Sequence, residues 1–287
     1  MSVILHSNNS WSGGCPGFHQ FIRHTGKRSS YIALQEVHRA INVVPATVMP
    51  CDPGARMFPV RTNLHEELRQ EFSEHWKLTY SHHFVGMHDL EKDSRVQYGQ
   101  LSAVDQNVWE TVAAYTNYIY GRPQQFNDEA NGGTPCGKVA LGHLLRHRVS
   151  GLFLIVVNVH GFWSRHGKFD CLARFQQNAG VNAIVQKLRS LQTTNAVHVL
   201  IIGDLNYTSK MMALYDLAEQ PCFRGSGVIL NHTFNIKETR TSYYKKSVRE
   251  ADFAIVSQSL VPHVENFRVL IDNIPSDHGL LELTLNL

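Results

Sequence analysis

No stretch of this 287-residue sequence approaches the run of roughly 20 apolar residues that a membrane helix requires. The opening, Met1-Ser-Val-Ile-Leu-His-Ser7, has no basic leader, and its apolar stretch is too short for a secretory signal. Neither a membrane span nor a secretory route is therefore expected. Cysteine is scarce: Cys15, Cys51, Cys136, Cys171 and Cys222 are scattered and odd in number. That excludes a disulfide framework and a zinc knuckle, and points to reduced thiols in a cytoplasmic compartment. Charge is sparse too, at 18% of residues, with a net of only +3. A basic stripe of the kind that marks a dedicated nucleic-acid binder is missing, although a mildly basic balance suits a polyanionic substrate. Repeats and low-complexity linkers are absent, so residues 1–287 are expected to form one domain without an obligate protein partner.

Histidine, in contrast, is plentiful at 17 residues. His82, His83, His88, His143 and His147 invite a metal reading. None sits in His-Glu-x-x-His, and no Cys/His quartet has zinc-ligand spacing, so ordinary surface and half-buried imidazoles explain them better.

Short apolar runs without helical period read as buried strands: Val3–Ser7, Tyr31–Gln35, Leu78–Val85, Gln97–Val104, Lys138–Arg146, Leu152–His160, Val197–Ile202, Ala251–Ser257, Val264–Leu270 and Leu280–Leu285. Helical spacing marks Phe18–His24, Leu64–Trp76, Phe169–Leu191 and Lys210–Glu219. Residues 40–62 are proline-rich loop, Gly86–Arg95 is a polar stretch, and residues 121–137 form a long polar loop. Strand pairs interrupted by a few helices predict two sheets packed face to face with helices outside, rather than a regular βαβ alternation.

Polar residues of one chemical type gather at the strand ends. They are Asn8 or Asn9, Glu36, Asn158 with His160, Asp204 with Asn206, and Asp277 with His278; Asp252 opens a further strand. The apolar run before Gly203-Asp204-Leu205-Asn206 places a carboxylate and an amide where a glycine lets the backbone turn sharply. Carboxylates and amide oxygens are hard ligands suited to Mg²⁺ or Mn²⁺. With imidazoles to hold a phosphate, they are the parts of metal-assisted phosphodiester hydrolysis. Blander readings exist for each. Asp204 and Asn206 also suit an Asx turn, His160 suits a core position, and Arg174 and Gln177 suit either a solvated helix face or a brace behind the site. Gly132-Gly-Thr-Pro-Cys-Gly-Lys138 imitates a phosphate-binding loop, but Val139 replaces the required hydroxyl and Pro135 removes a backbone donor.

Leu34-Gln35-Glu36-Val37, Asn158-Val159-His160, Gly203-Asp204-Leu205-Asn206, Asp252–Ser257 and Ser276-Asp277-His278 occur in that order. In this the sequence resembles the endonuclease/exonuclease/phosphatase superfamily. A bacterial-type branch is suggested by Gly161-Phe162-Trp163 and by Thr239-Arg-Thr-Ser242 ahead of the Asp252 strand. The resemblance implies a four-layer α/β sandwich of two mixed, mainly antiparallel sheets and a Mg²⁺- or Mn²⁺-dependent phosphoesterase. It implies that Glu36 is the main metal ligand, with Asn8 (in preference to Asn9) and Asp277 nearby. Asp204 would orient or deprotonate the attacking water, and Asn206 would help position it. His278 would contact the scissile phosphate or act as acid/base, with Asp252 fixing its tautomer; Asn158 and His160 would bind phosphate oxygens. Arg240 is a candidate phosphate contact. Nucleic acid is the expected substrate, a small phosphoester such as an inositol phosphate or phospholipid head group is the alternative, and a non-catalytic binding module on the same fold is a third.

Overall fold

The computed structural model describes residues 2–41 (without 14 and 16), 63–89, 94–121, 125–126, 137–162, 171–193, 196–242 (without 224) and 250–287. In chain order the elements are β1 (Ser2–Asn9), α1 (Phe18–Gly26), β2 (Tyr31–Ala40), α2 (Leu64–Glu71), β3 (Trp76–Asp89), β4 (Ser94–Asp105), β5 (Trp109–Tyr120), β6 (Gln125–Phe126), β7 (Lys138–His147) and β8 (Phe153–His160). There follow α3 (Cys171–Arg189), β9 (Val197–Asp204), α4 (Met212–Ala218), β10 (Val228–Ile229), α5 (Leu230–Thr233), β11 (Asp252–Val256), β12 (Val264–Leu270) and β13 (Leu280–Asn286). One sheet runs β12-β13-β1-β2-β4-β3-β6 and the other β10-β11-β9-β8-β7-β5.

Three apolar clusters show the four layers. Leu5, Tyr31, Leu154, Val156, Leu200 and Leu283 fill the space between the sheets. Phe18 and Ile22 of α1, with Leu64 and Leu68 of α2, cover the outer face of the first sheet. Val181, Ile184 and Leu188 of α3, with Leu214 and Leu217 of α4, cover the second. Every residue of β8 is buried, because helices lie on one face and the opposite sheet on the other. The expected four-layer sandwich is thus the observed one.

Two parallel pairs position the site. β1 runs parallel to β2, with Asn9 beside Gln35, and β8 runs parallel to β9, with His160 beside Asp204. Parallel neighbours end at the same edge. Antiparallel β11 starts there, with Asp252 opposite Asp204, and the chain enters antiparallel β13 beside the end of β1.

Several element boundaries depart from the sequence pattern. β2 does not end at Glu36 but continues to Ala40 through a bulge. The helix from Leu64 stops at Glu71, and Trp76 opens β3, which runs on through the expected polar stretch as far as Asp89. β5 has no sequence signal, because as an outer strand it shows irregular burial instead of alternation. Cys15, Cys171 and Cys222 are free thiols, as expected. Loop 121–137, apart from its first residue, Gln125–Phe126 and its last, lies outside the described residues, as does Trp163. Among the described residues no helix is long and apolar enough to cross a membrane.

Candidate active site

Glu36 takes a left-handed backbone conformation, φ 56°, at the bulge where β2 slips against β4. Non-glycine residues in this region are uncommon and cluster at functional positions. The Ser10 hydroxyl braces the turn by donating to the Glu36 carbonyl at 2.9 Å. The side chain is thereby aimed at the end of β9.

There, Gly203 has φ 141°, and a Cβ on it would lie 2.2 Å from the Val159 carbonyl oxygen, so glycine is required. Asp204 divides its work between two oxygens. Oδ1 accepts the Asn206 N–H at 2.9 Å, the Asx turn that the sequence suggested. Oδ2 accepts from Asn9 Nδ2 at 3.0 Å and lies 3.5 Å from His278 Nε2. Asn206, itself at φ 53°, donates to the Gly161 carbonyl at 3.2 Å. A structural turn and a chemically available oxygen therefore coexist in one side chain.

His278 is buried between carboxylates. Its Nδ1 lies 2.9 Å from both oxygens of Asp252. Burial pulls the imidazole towards its neutral form, but Asp252, Asp204 and Asp277 outweigh it and raise its pKa to about 9. The Thr239-Arg240-Thr241 run sews this corner together. The Thr239 hydroxyl accepts the N–H groups of Ala251 and Asp252, and Thr241 donates to the carbonyls of Asp277 and Ser276. Arg240 Nη1 lies 3.1 Å from Asp277 Oδ2 and also contacts His278 Nε2.

His160, buried on the other side, has Nε2 3.7 Å from Glu36 Oε1 and 4.0 Å from Asp204 Oδ2. Burial, then Lys138, holds its pKa well below the usual imidazole value, so it is neutral. Lys138 Nζ donates to its Nε2 at 3.4 Å. Lys138 was missed as a site residue; its sequence signal, a basic residue opening a strand beside the Asn-x-His strand, was absorbed by the phosphate-loop look-alike.

Two expected placements are corrected. Asn8 does not face the site. Side chains alternate along a strand, so Asn8 points to the outer face of its sheet, where Nδ2 donates to the carbonyls of His278 and Gly279 at 3.2 and 3.0 Å. Asn9 takes its place, donating to Glu36 Oε1 at 3.1 Å as well as to Asp204. Asn158 is not available to a phosphate. It is fully buried below the site, accepting from Gln35 Nε2 at 2.7 Å and donating to the carbonyls of Leu34 and Leu101. It ties the two sheets together. His143 and His147 lie in the buried interior, joined respectively to Tyr31 and Ser150, and among the described residues belong to no metal cluster.

The donor set suits a hard divalent cation. Desolvation, then repulsion from Asp277, raises the pKa of Glu36. Asp277 Oδ1 is buried without a hydrogen-bond partner. Asn9 Oδ1 already accepts the Trp11 N–H at 3.0 Å, so Asn9 bridges the two carboxylates instead of offering an oxygen. Asp204, Asp252 and His278 have ligand atoms within 4.8 Å of one another. Asp252, however, directs both oxygens at Nδ1 of His278, which makes that trio a line through the imidazole rather than a cage.

Comparison with solved structures shows that the chain has the α/β-sandwich fold of proteins described as endonuclease/exonuclease/phosphatase. An endonuclease/exonuclease/phosphatase family protein from Bacteroides thetaiotaomicron is similar at TM-score 0.65 and 13% identity, over 100% of this chain and 96% of that one. A mannosyl-6-phosphatase from the same organism is similar at TM-score 0.64 and 14% identity, over 99% and 100%. The human Nocturnin catalytic domain, solved with a sulfate anion, is similar at TM-score 0.58 and 14% identity, over 99% and 94%. No protein-family model and no curated protein sequence matches the chain.

Proposed function

We propose that this protein is a Mg²⁺- or Mn²⁺-dependent phosphodiesterase acting on nucleic acid. The observation that carries the reading is the line Asp252–His278–Asp204, hydrogen-bonded at Asp252 and an ion-pair contact of 3.5 Å at Asp204, with Glu36 joined to Asp204 through Asn9. Glu36 and Asp277 are the residues that would hold the cation. A divalent ion bound there supplies Lewis-acid stabilisation of charge on the phosphoryl oxygens. Asp204 Oδ2 is the oxygen placed to orient or deprotonate water, because Oδ1 is fixed in the turn. His278, kept cationic by Asp252, and Arg240 favour the negative charge that accumulates on the phosphoryl group. His160, being neutral, accepts or donates one hydrogen bond without adding charge. No protein nucleophile is needed. The fold is shared with a protein described as endonuclease/exonuclease/phosphatase and with a mannosyl-6-phosphatase, names that lie within phosphoester chemistry.

The second of these similarities favours one alternative, hydrolysis of a small phosphomonoester. The test is incubation of the purified protein with plasmid DNA, total RNA and a panel of small phosphoesters, in Mg²⁺, Mn²⁺ or EDTA, beside Asp204→Ala. Metal-dependent cleavage of DNA or RNA that is lost in the variant supports the first reading. Turnover of the small phosphoesters alone supports the second, and no turnover of any substrate would sink both.

A further inference from the structure

The pole of the sandwich opposite the catalytic edge carries a separate pair of imidazoles. β9 opens at Val197-His198 and ends at Asp204, a rise of about 20 Å, so His198 lies far from the candidate active site. The 3₁₀ turn Gln258–His263 ends in the second histidine and leads directly into β12. The rings of His198 and His263 stand with their centres 5.2 Å apart and their planes at 76°. Both sit on anchored backbone. Ser257, at the cap of the turn, gives its N–H to the Val199 carbonyl at 2.9 Å and takes the Val199 N–H on its hydroxyl at 3.0 Å. Leu260, inside the turn, is fully buried, and Pro262 fixes the backbone just before His263.

Each ring is held through Nδ1. His263 Nδ1 donates to the Asn286 carbonyl at 3.1 Å, which leaves the lone pair of the neutral ring on Nε2. His198 Nδ1 lies 3.1 Å from Ser259 Oγ, and that oxygen can accept from it while passing its own proton to Ser257 Oγ, also 3.1 Å away. Among the described residues neither Nε2 has a hydrogen-bond partner. Ligating histidines are held in this way, with one nitrogen on a protein oxygen and the other open to the metal. Burial, then His263, lowers the pKa of His198, which favours the neutral ring that a metal requires. Two imidazoles on one tetrahedral zinc, at Zn–N of about 2.1 Å, hold their ring centres roughly 5 Å apart, which is the separation found here.

We propose that His198 and His263 form a two-histidine site for a borderline divalent transition ion of the Zn²⁺ class, with water in its remaining positions. Imidazoles suit Zn²⁺, Cu²⁺ and Ni²⁺, whereas the oxygen-rich catalytic edge suits the harder Mg²⁺ and Mn²⁺. β9 belongs to the second sheet and β12 to the first, so a bound ion would clasp the two sheets at the pole away from the chemistry. Such a site is independent of the phosphodiesterase reading.

The test is calorimetric titration of Zn²⁺ into the protein in excess Mg²⁺, beside His198→Asn, His263→Asn and Asp204→Ala. Wild type and Asp204→Ala are expected to share one binding event that each histidine variant weakens by about ten-fold or more. Zn²⁺ at about 100 times its Kd should raise the melting temperature by about 5 °C in the first two proteins, and by about half as much or less in the histidine variants. In long-range ¹H–¹⁵N spectra the Nε2 resonances of His198 and His263 should shift together as the ion is added. His198→Gln and His263→Gln should repeat the loss if an Asn variant folds poorly. A zinc event that survives in both histidine variants, one that only a single variant loses, or a wild type with no event beyond what Asp204→Ala removes would each overturn the site.

Discussion

His278 bridges two aspartates that face each other across adjacent strands: Nδ1 lies 2.9 Å from Asp252, Nε2 lies 3.5 Å from Asp204, and Asp252 pairs with Asp204 in the β11–β9 register. The ring is therefore held through one nitrogen by Asp252 and has its other nitrogen aimed at Asp204, as carboxylate-supported histidines are oriented generally.

Asp252→Asn tests that arrangement. An amide offers Nδ1 a donor as readily as an acceptor, and it removes the charge that keeps His278 protonated. Hydrolysis is expected to fall by about 10²–10⁴-fold. Asn231 and Thr239 hold the backbone around Asp252 independently of its side chain. The fold should therefore survive, as judged by an unchanged circular dichroism spectrum. Activity within about two-fold of wild type would remove His278 from the chemistry.

Asn8 and Asn9 divide structure from site by strand parity. Asn8→Ala leaves the carbonyls of His278 and Gly279 without their side-chain donor and should cost about 1–3 kcal/mol in denaturant unfolding. Asn9→Ala removes the link between Glu36 and Asp204, and its main effect should be lost turnover and weakened Mg²⁺ dependence. The reverse pattern, with Asn8→Ala the inactive variant, would show that the outward asparagine is the functional one.

These two residues also show how far the sequence could be read. The strand leading to Gly203-Asp204 was legible, because a short apolar run before a glycine has few other interpretations. The carboxylate and imidazole at the other strand ends were legible for the same reason. The face on which Asn8 or Asn9 lies depends on register against β2 and β13, which is non-local, and a one-residue error reverses it. Asn158 misled because an amide inside a wholly buried strand looks the same whether it meets a ligand or ties two sheets together. Glu36 marked a strand end in the sequence, whereas a bulge lets β2 continue. Lys138 was hidden because its neighbours across the hairpin and from β3 are distant in sequence.

Acid stability should depend on Glu282, far from the carboxylate cluster. Its side chain is buried and bonded to His6 Nε2 at 3.0 Å and Arg268 Nε at 2.6 Å, which hold its pKa at about 2, below the ordinary 4.5. A depressed carboxylate stabilises the fold above its unfolded value, and the contribution is lost as pH falls from about 4.5 through about 2. The shift corresponds to at most about 3 kcal/mol. His6, whose pKa is lowered by burial, acts in the same direction: it must take up a proton as pH falls below its ordinary 6.5. Melting temperature against pH should therefore drop steeply in acid for the wild type and more gently, from a lower plateau, for Glu282→Gln. Parallel curves would contradict the assignment.

The last expectation concerns the peptide between Asp204 and Asn206. Its carbonyl, on Leu205, accepts from Arg174 Nη1 at 3.2 Å and Gln177 Nε2 at 3.4 Å, both from α3. The Arg174 guanidinium lies 5.5 Å from the Phe162 ring and 5.0 Å from the Tyr207 ring, so it is buried between residues on both sides of the site. Gln177 Oε1 takes the Phe162 N–H at 2.6 Å, which locks the exit of β8 to the same helix. These contacts are to backbone and rings, and through them both side chains act on the orientation of Asp204. Arg174→Met keeps the stem and most of the packing but frees the turn. It should lower kcat by about 10–100-fold with KM little changed, since small misplacements of a reacting group are costly. Arg174→Lys, able to donate to the Leu205 carbonyl but not to stack as a plane, should recover only part. If Arg174→Met instead raises KM at constant kcat, α3 contributes to substrate binding and the turn is held without it.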